Sequence, residues 1–219
     1  MFAEGHIFGR LSAVFVSTVS ERVREGRSDD GDERITWAMN DLLEKLRVSR
    51  PRIIECGRSE SPLVIFTDGA CENERVTIGA VIFEGDKAPE YFGYLVPERV
   101  WQQWKRKSDQ SQVIGQAEIA PVLIAKLTWA DRVRGRRVIF FIDNEAARIG
   151  LVRSFSPSLP SLRLLGQSID LDLVLCASSW YARVPTVANP ADLPSRLAPS
   201  AYLASLGAVS VSPCLLPDW

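Results

Sequence analysis

Four acidic residues stand where a sequence could place chemistry: Asp68 in VIFTDGA, Glu118 in IGQAEIAPVL, Asp143 in VIFFID and Asp192 in ANPADLPSR. Each also has an ordinary explanation. Asp68 precedes Gly69, and Asp-Gly after a strand is a common hairpin turn. Glu118 falls on the apolar-facing side of a helical stretch, where a carboxylate is costly unless paired or metal-bound; the alternative is that the helix edge exposes it. Asp143 closes an apolar strand and could instead cap the helix that follows. Asp192 lies in the first turn of a helix with Asn189 as N-cap and Pro190 as first residue, where the helix dipole favours an acid anyway.

Their conjunction says more than any one of them. The four fall on a strand end, a helix, a strand end and a helix start, in an order that can bring them together. Two aspartates at the ends of neighbouring buried strands point to one edge of a sheet, where open α/β sheets commonly bind ligands. His6 is the only histidine in the chain. A multi-histidine zinc site is thereby excluded, and a Ser-His-Asp or Cys-His apparatus is left only if His6 takes part. Hard oxygen ligands without histidine suit Mg²⁺ or Mn²⁺. Two such ions about 4 Å apart can activate a water and stabilise the leaving oxygen of a phosphodiester.

The elements that must position these acids can be read from periodicity. Apolar positions recur at helical spacing over 7–25 and again over 35–47, separated by an exposed acidic linker, so the first third is expected to be a helical hairpin that packs on something else. From Pro62 the texture changes. LVIFTDGA (63–70) is an unbroken apolar run, the mark of a strand buried on both faces. VTIGAVIFE (76–84) and PEYFGYLVP (89–97) continue an antiparallel meander. A long helix is expected over 112–133, with Pro121 near its first turns or at a kink. Strand 136–143, helices after it and over 159–172, a strand within 173–185 and a last helix after Pro190 complete the order β-β-β-α-β-α-α-β-α. The expected fold class is α/β: a mixed five-stranded sheet, three antiparallel strands then two parallel, flanked by helices and preceded by a helical extension.

The chain has 219 residues, 46% hydrophobic and 24% charged, with a formal net charge of −1. That balance argues against a simple cationic nucleic-acid wrapper, although Lys105-Arg106-Lys107 and Arg132, Arg134, Arg136 and Arg137 form basic patches. Cys56, Cys71, Cys176 and Cys214 contain no CxxC pair, so reduced thiols are expected. No apolar run reaches membrane-spanning length and the first residues do not resemble a signal peptide, so the expected setting is intracellular, cytoplasm or nucleus.

TDGA, QAE, IDNEAA and NPADLPSR, in this order and with these intervening elements, resemble the ribonuclease H domain of retrotransposon reverse transcriptases. The resemblance covers roughly 61–200, and WYARVPTVANPADLPSR is its most specific piece. HIFGRLSAVF and the approach at Pro51-Arg52-Ile53 resemble the tail of a polymerase. The resemblance implies a division into 1–60, a polymerase-connection remnant; 61–200, the nuclease domain; and 201–219, a tail. It also implies that Asp68, Glu118, Asp143 and Asp192 bind two Mg²⁺ or Mn²⁺ ions and cleave the RNA strand of an RNA/DNA hybrid, with the polymerase portion of a reverse transcriptase as a further partner. Lys105, Arg106, Lys107, Asn144 and Asn189 are the candidates for nucleic-acid contact, and Trp101 and Trp104 for stacking. Trp180 and Tyr181 read as packing residues.

One departure concerns the stretch from Val184 to Ala191, which lacks the histidine many family members carry before the last aspartate. The competing reading is a degenerate domain that keeps the fold as a protein or nucleic-acid interaction module. Related exonucleases and integrase-like transferases fit less well, since Ala70 stands where the former carry a second acid and Asp192 where the latter carry a glutamate.

Overall fold

A computed structural model describes residues 10–26, 32–48, 61–72, 74–106, 113–217 and 219. Its centre is a sheet of order β5-β4-β1-β2-β3-β6. Strands β1 (Leu63–Glu72), β2 (Arg75–Phe83) and β3 (Glu90–Leu95) form the antiparallel meander, while β4 (Arg137–Ile142) and β5 (Ser178–Arg183) run parallel to β1. This is the expected mixed sheet, three antiparallel strands then two parallel, with one strand more. The sixth, β6 (Val209–Ser210), pairs parallel to β3 through the Val209 and Val211 amides, which donate to Pro89 and Tyr91 carbonyls.

One face of the sheet carries Leu63, Ile65, Ile78, Ile82, Val138, Phe140 and Ile142, all at 0% exposure. Helix α4 (Ile114–Thr128), followed by the short α5 (Ala130–Val133), lies across it and is buried at every position from Gln116 to Lys126. Its partner α7 (Leu159–Val174) is tied to it by a buried cation. Lys126 Nζ sits 2.7 Å from Asp172 and donates to the Ser168 carbonyl and hydroxyl. A charge without access to water persists only when paired and hydrogen-bonded in this way.

The N-terminal helices α1 (Ala13–Glu25) and α2 (Glu33–Val48) pack on α7 through Val14, Ala38, Leu162 and Ile169. Lys45 bridges Asp41 at 2.5 Å and Asp170 at 3.0 Å. The expected hairpin therefore has α7 as its partner. The expectations drawn from 49–60 and from residues before Arg10, including the polymerase-like approach and His6, lie outside the described residues.

Helix α3 (Glu98–Arg106), which the sequence reading left unassigned, corrects the stacking expectation. Trp101 and Trp104 are only 8% and 7% exposed and belong to the main core. Two tryptophans three positions apart share one face of a helix, and here that face turns inward. Trp104 meets Trp219 edge-on at 5.7 Å, and Arg99 donates to the Trp219 carbonyl, so the C-terminal residues fold back on the same core. Tyr181 is buried as expected. Trp180 is not: it is 71% exposed on the outer strand.

Two close approaches need glycine. A Cβ at Gly69 would come within 2.2 Å of the Ala117 carbonyl oxygen in α4. Pro121 lacks the N–H that would have bonded that carbonyl, so the proline anticipated as a kink sits where the helix backbone meets the strand. On the other face, Gly79 and Gly93 pair across β2 and β3, and a Cβ on either would strike the backbone of Pro194 or Ser195.

Gly69→Ala should therefore destabilise the protein by roughly 3 kcal/mol or more, because backbone must shift on both sides. Gly85→Ala, where φ is +53° but the space is open, should cost only about 1 kcal/mol. Urea unfolding of the two variants checks the ordering.

Candidate metal centre

The parallel ladder between β1 and β4 ends at the pair Thr67 and Ile142. Asp68 and Asp143 are the next residue on each strand. Paired residues of neighbouring strands face the same way, and one alternation earlier Phe66 and Phe141 stack at 4.8 Å. Register alone thus sets the two aspartates side by side. Asp68 does not end its strand, as the sequence suggested; β1 runs on to Glu72 and the hairpin turn comes later. The Asp-Gly turn reading is thereby set aside.

Glu118 arrives from α4, whose close passage over Gly69 brings its second turn to the strand. Oxygen atoms of Asp68, Glu118 and Asp143 all lie within 4.8 Å of one another. Glu118 is 6% exposed and Asp68 4%. Exposure at a helix edge is therefore not the explanation for Glu118. Among the described residues, Glu118 Oε2 and Asp143 Oδ1 are buried without a hydrogen-bond partner.

Asp143 does not cap the next helix. Asn144 does: its side chain accepts from the Ala147 amide at 3.0 Å at the start of α6 (Glu145–Arg153), leaving the aspartate free. The Asn144 side chain and the Gly69 amide favour the ionised form of Glu118.

Asp192 stands apart from the three. It begins the four-residue helix α8 (Asp192–Ser195), and Arg196 Nε holds its Oδ1 at 3.1 Å. Its charge still reaches Asp68. The helix starts later than expected, and Asn189 is not its cap. Asn189 is 6% exposed, donates to the Thr67 carbonyl at 3.1 Å and accepts from the Ala191 amide at 3.1 Å. Its amide is committed to fixing this segment on β1.

The other candidate contacts are dispersed. Lys105 and Arg106 are exposed at the end of α3, and Lys107 lies outside the described residues. Arg132 and Arg136 both pair with Glu84, where β4 begins, at the far end of the sheet from Asp143. A cleft of about 580 Å³ opens at that end beside Ser61, Glu84 and Arg136. A smaller groove of about 360 Å³ lies further along β1 from Asp68, lined by Ala70, Glu72, Arg75, Thr77, Arg196 and Leu197. Chemistry favours the smaller, since β1 carries it directly on from Asp68.

Ser195, Arg196 and the Gly79–Gly93 pair were not singled out in the sequence. The only signal was local, in the PSR that follows Asp192 and in glycines within otherwise apolar strands.

Burial, with the Asp68 and Asp143 charges, pushes Glu118 up to about 9. Burial also raises Asp68, against the Ser195 hydroxyl that favours its ionised form, and Asp143 and Asp192 add to the rise, to about 6. At neutral pH Glu118 therefore keeps its proton unless a cation replaces it.

No family model and no curated protein matches the chain. Among solved structures it is similar to the RNase H1 of the halophilic archaeon Halobacterium salinarum NRC-1, with a TM-score of 0.44 and 19% identity over 63% of this chain and 97% of that one. The N-terminal RNase H domain of a Mycobacterium tuberculosis protein gives 0.44 and 16%, over 67% and 96%. LC11-RNase H1, solved in complex with an RNA/DNA hybrid, gives 0.44 and 14%, over 62% and 95%.

The raised values fix a sign. The folded, metal-free protein keeps a proton on Asp68 from about pH 4 to about 6, and on Glu118 from about 4.5 to about 9, that the unfolded chain has released, so stability from these groups is fullest at the low end and falls as pH rises, above pH 6 through Glu118 alone. Melting in EDTA should show that decline, and Glu118→Gln should remove most of it. A flat profile for the wild type would count against the shifts.

Proposed function

We propose that this chain is a divalent-metal-dependent nuclease of the ribonuclease H type, cleaving the RNA strand of RNA/DNA hybrids. The observation that carries the reading is the clustering of Asp68, Glu118 and Asp143, with an oxygen of each within 4.8 Å of the others, in which two buried oxygens, Glu118 Oε2 and Asp143 Oδ1, have no donor. Buried acceptors without donors are costly, and an all-oxygen set of this kind suits Mg²⁺ or Mn²⁺.

Asp68, Glu118 and Asp143 would hold the metal. When bound, such an ion supplies charge neutralisation at the phosphodiester and lowers the pKa of water for attack. The protein's own residues orient the ligands. Asn144 caps α6 next to Asp143, and with the Gly69 amide it favours the ionised form of Glu118. Asp192 would complete the set for a second ion once it exchanges Arg196 for metal. The Arg196 and Arg75 side chains line the groove leading from Asp68 and offer contacts for the sugar-phosphate chain.

The order TDGA, QAE, IDNEAA, NPADLPSR supports hybrid RNA as substrate, and the stretch from Trp180 to Arg196 supports an origin in a retroelement reverse transcriptase. Among the described residues no helix is long and apolar enough to cross a membrane.

Purified protein with Mg²⁺ or Mn²⁺ should cut the RNA of a labelled hybrid, leaving a 3′-hydroxyl, and spare the DNA strand. Asp143→Asn should lower the rate by about 10³-fold, equivalent to ~4 kcal/mol of transition-state stabilisation. The variant should remain folded. An intact hybrid under conditions where a control enzyme cuts it would favour the interaction-module reading instead.

A further inference from the structure

The segment 189–196 is fastened to β1 at three points around Asp68. Asn189 donates to the carbonyl of Thr67, the residue before it. Ser195 Oγ donates to Asp68 Oδ2 itself. Arg196 pairs with Glu72 further along the strand. Ser195 is at 0% exposure, and it reaches that position because Gly79 and Gly93 offer no side chains beneath it.

We propose that Ser195 is a positioning residue of the metal centre, holding one oxygen of Asp68 so that a single, fixed oxygen remains for the cation. The inference rests on the metal-centre reading above. A hydroxyl has one proton to give, and two acceptors stand in reach: Asp68 Oδ2 and the Asp192 carbonyl at 2.7 Å. A carboxylate is the stronger acceptor. The proton therefore goes to Asp68, and the aspartate is locked about its χ2 axis, which is otherwise a broad and soft torsion. An outer residue that orients a ligand in this way typically changes metal affinity rather than folding.

Titration calorimetry with MnCl₂ on the full chain tests this. Wild-type protein should bind Mn²⁺, and Ser195→Ala and Ser195→Cys should each bind about 10-fold more weakly with circular dichroism unchanged. In an Asp68→Ala background, Ser195→Ala should have no further effect, because the residue acts through Asp68. Unchanged affinity in a folded Ser195 variant overturns the proposal, as does an equal loss without Asp68. Loss of folding in both variants also overturns it, by assigning Ser195 to the fold. Absence of Mn²⁺ binding in the wild type removes the metal-centre reading itself, before any variant is compared.

Discussion

Three carboxylates with oxygens inside 4.8 Å repel one another, and two of them are nearly sealed from water. Everything around them resists that repulsion. Register fixes Asp68 and Asp143, since moving them apart would break the ladder between β1 and β4. Glu118 is fixed by a helix buried along eleven consecutive positions, 116–126, and pinned at its far end by the Lys126–Asp172 pair. A helix on the surface could rotate to release its acid. This one cannot without exposing the core.

The two faces of the sheet treat the site differently. On the α4 face, one glycine admits a long helix whose packing defines the position of Glu118. On the opposite face, Gly79 and Gly93 admit a four-residue helix too short to stand alone. The place of Asp192 therefore depends on side chains: Asn189, Ser195 and Arg196. The result is a rigid set of three acids beside a fourth that is held by an ion pair and half open to solvent.

Much of this architecture was legible in the sequence, because burial writes itself into apolar spacing. VIFT and VIFF announced the central strands, and the apolar stretch after Gln112 announced the helix. What failed to show was of another kind. ERVWQQWKR is mostly polar, so its helix went unassigned and its tryptophans were given to a ligand rather than to the core. The two-residue β6 carries no periodicity at all. At Asp192 the sequence placed the residue correctly at a helix start, yet whether its carboxylate joins the other acids is decided by Arg196, four residues on. Periodicity reports which side chains leave water. It does not report which polar atoms meet, and so Ser195 and the glycines beneath it were silent.

The burial that makes this cluster of acids costly is also what would make it attractive to a cation. Removing water from Glu118 and Asp68 favours their protonated forms, and the same removal strengthens the attraction of those oxygens for any cation that can displace the proton. A proton satisfies one oxygen. A divalent ion satisfies several at once, including Glu118 Oε2 and Asp143 Oδ1, which no donor in the described protein reaches. An exposed trio of acids would stay ionised without help and would gain little from a metal in competition with water. By placing the trio under a buried helix, the fold sets a structural penalty that a small, multiply charged cation would relieve better than a proton.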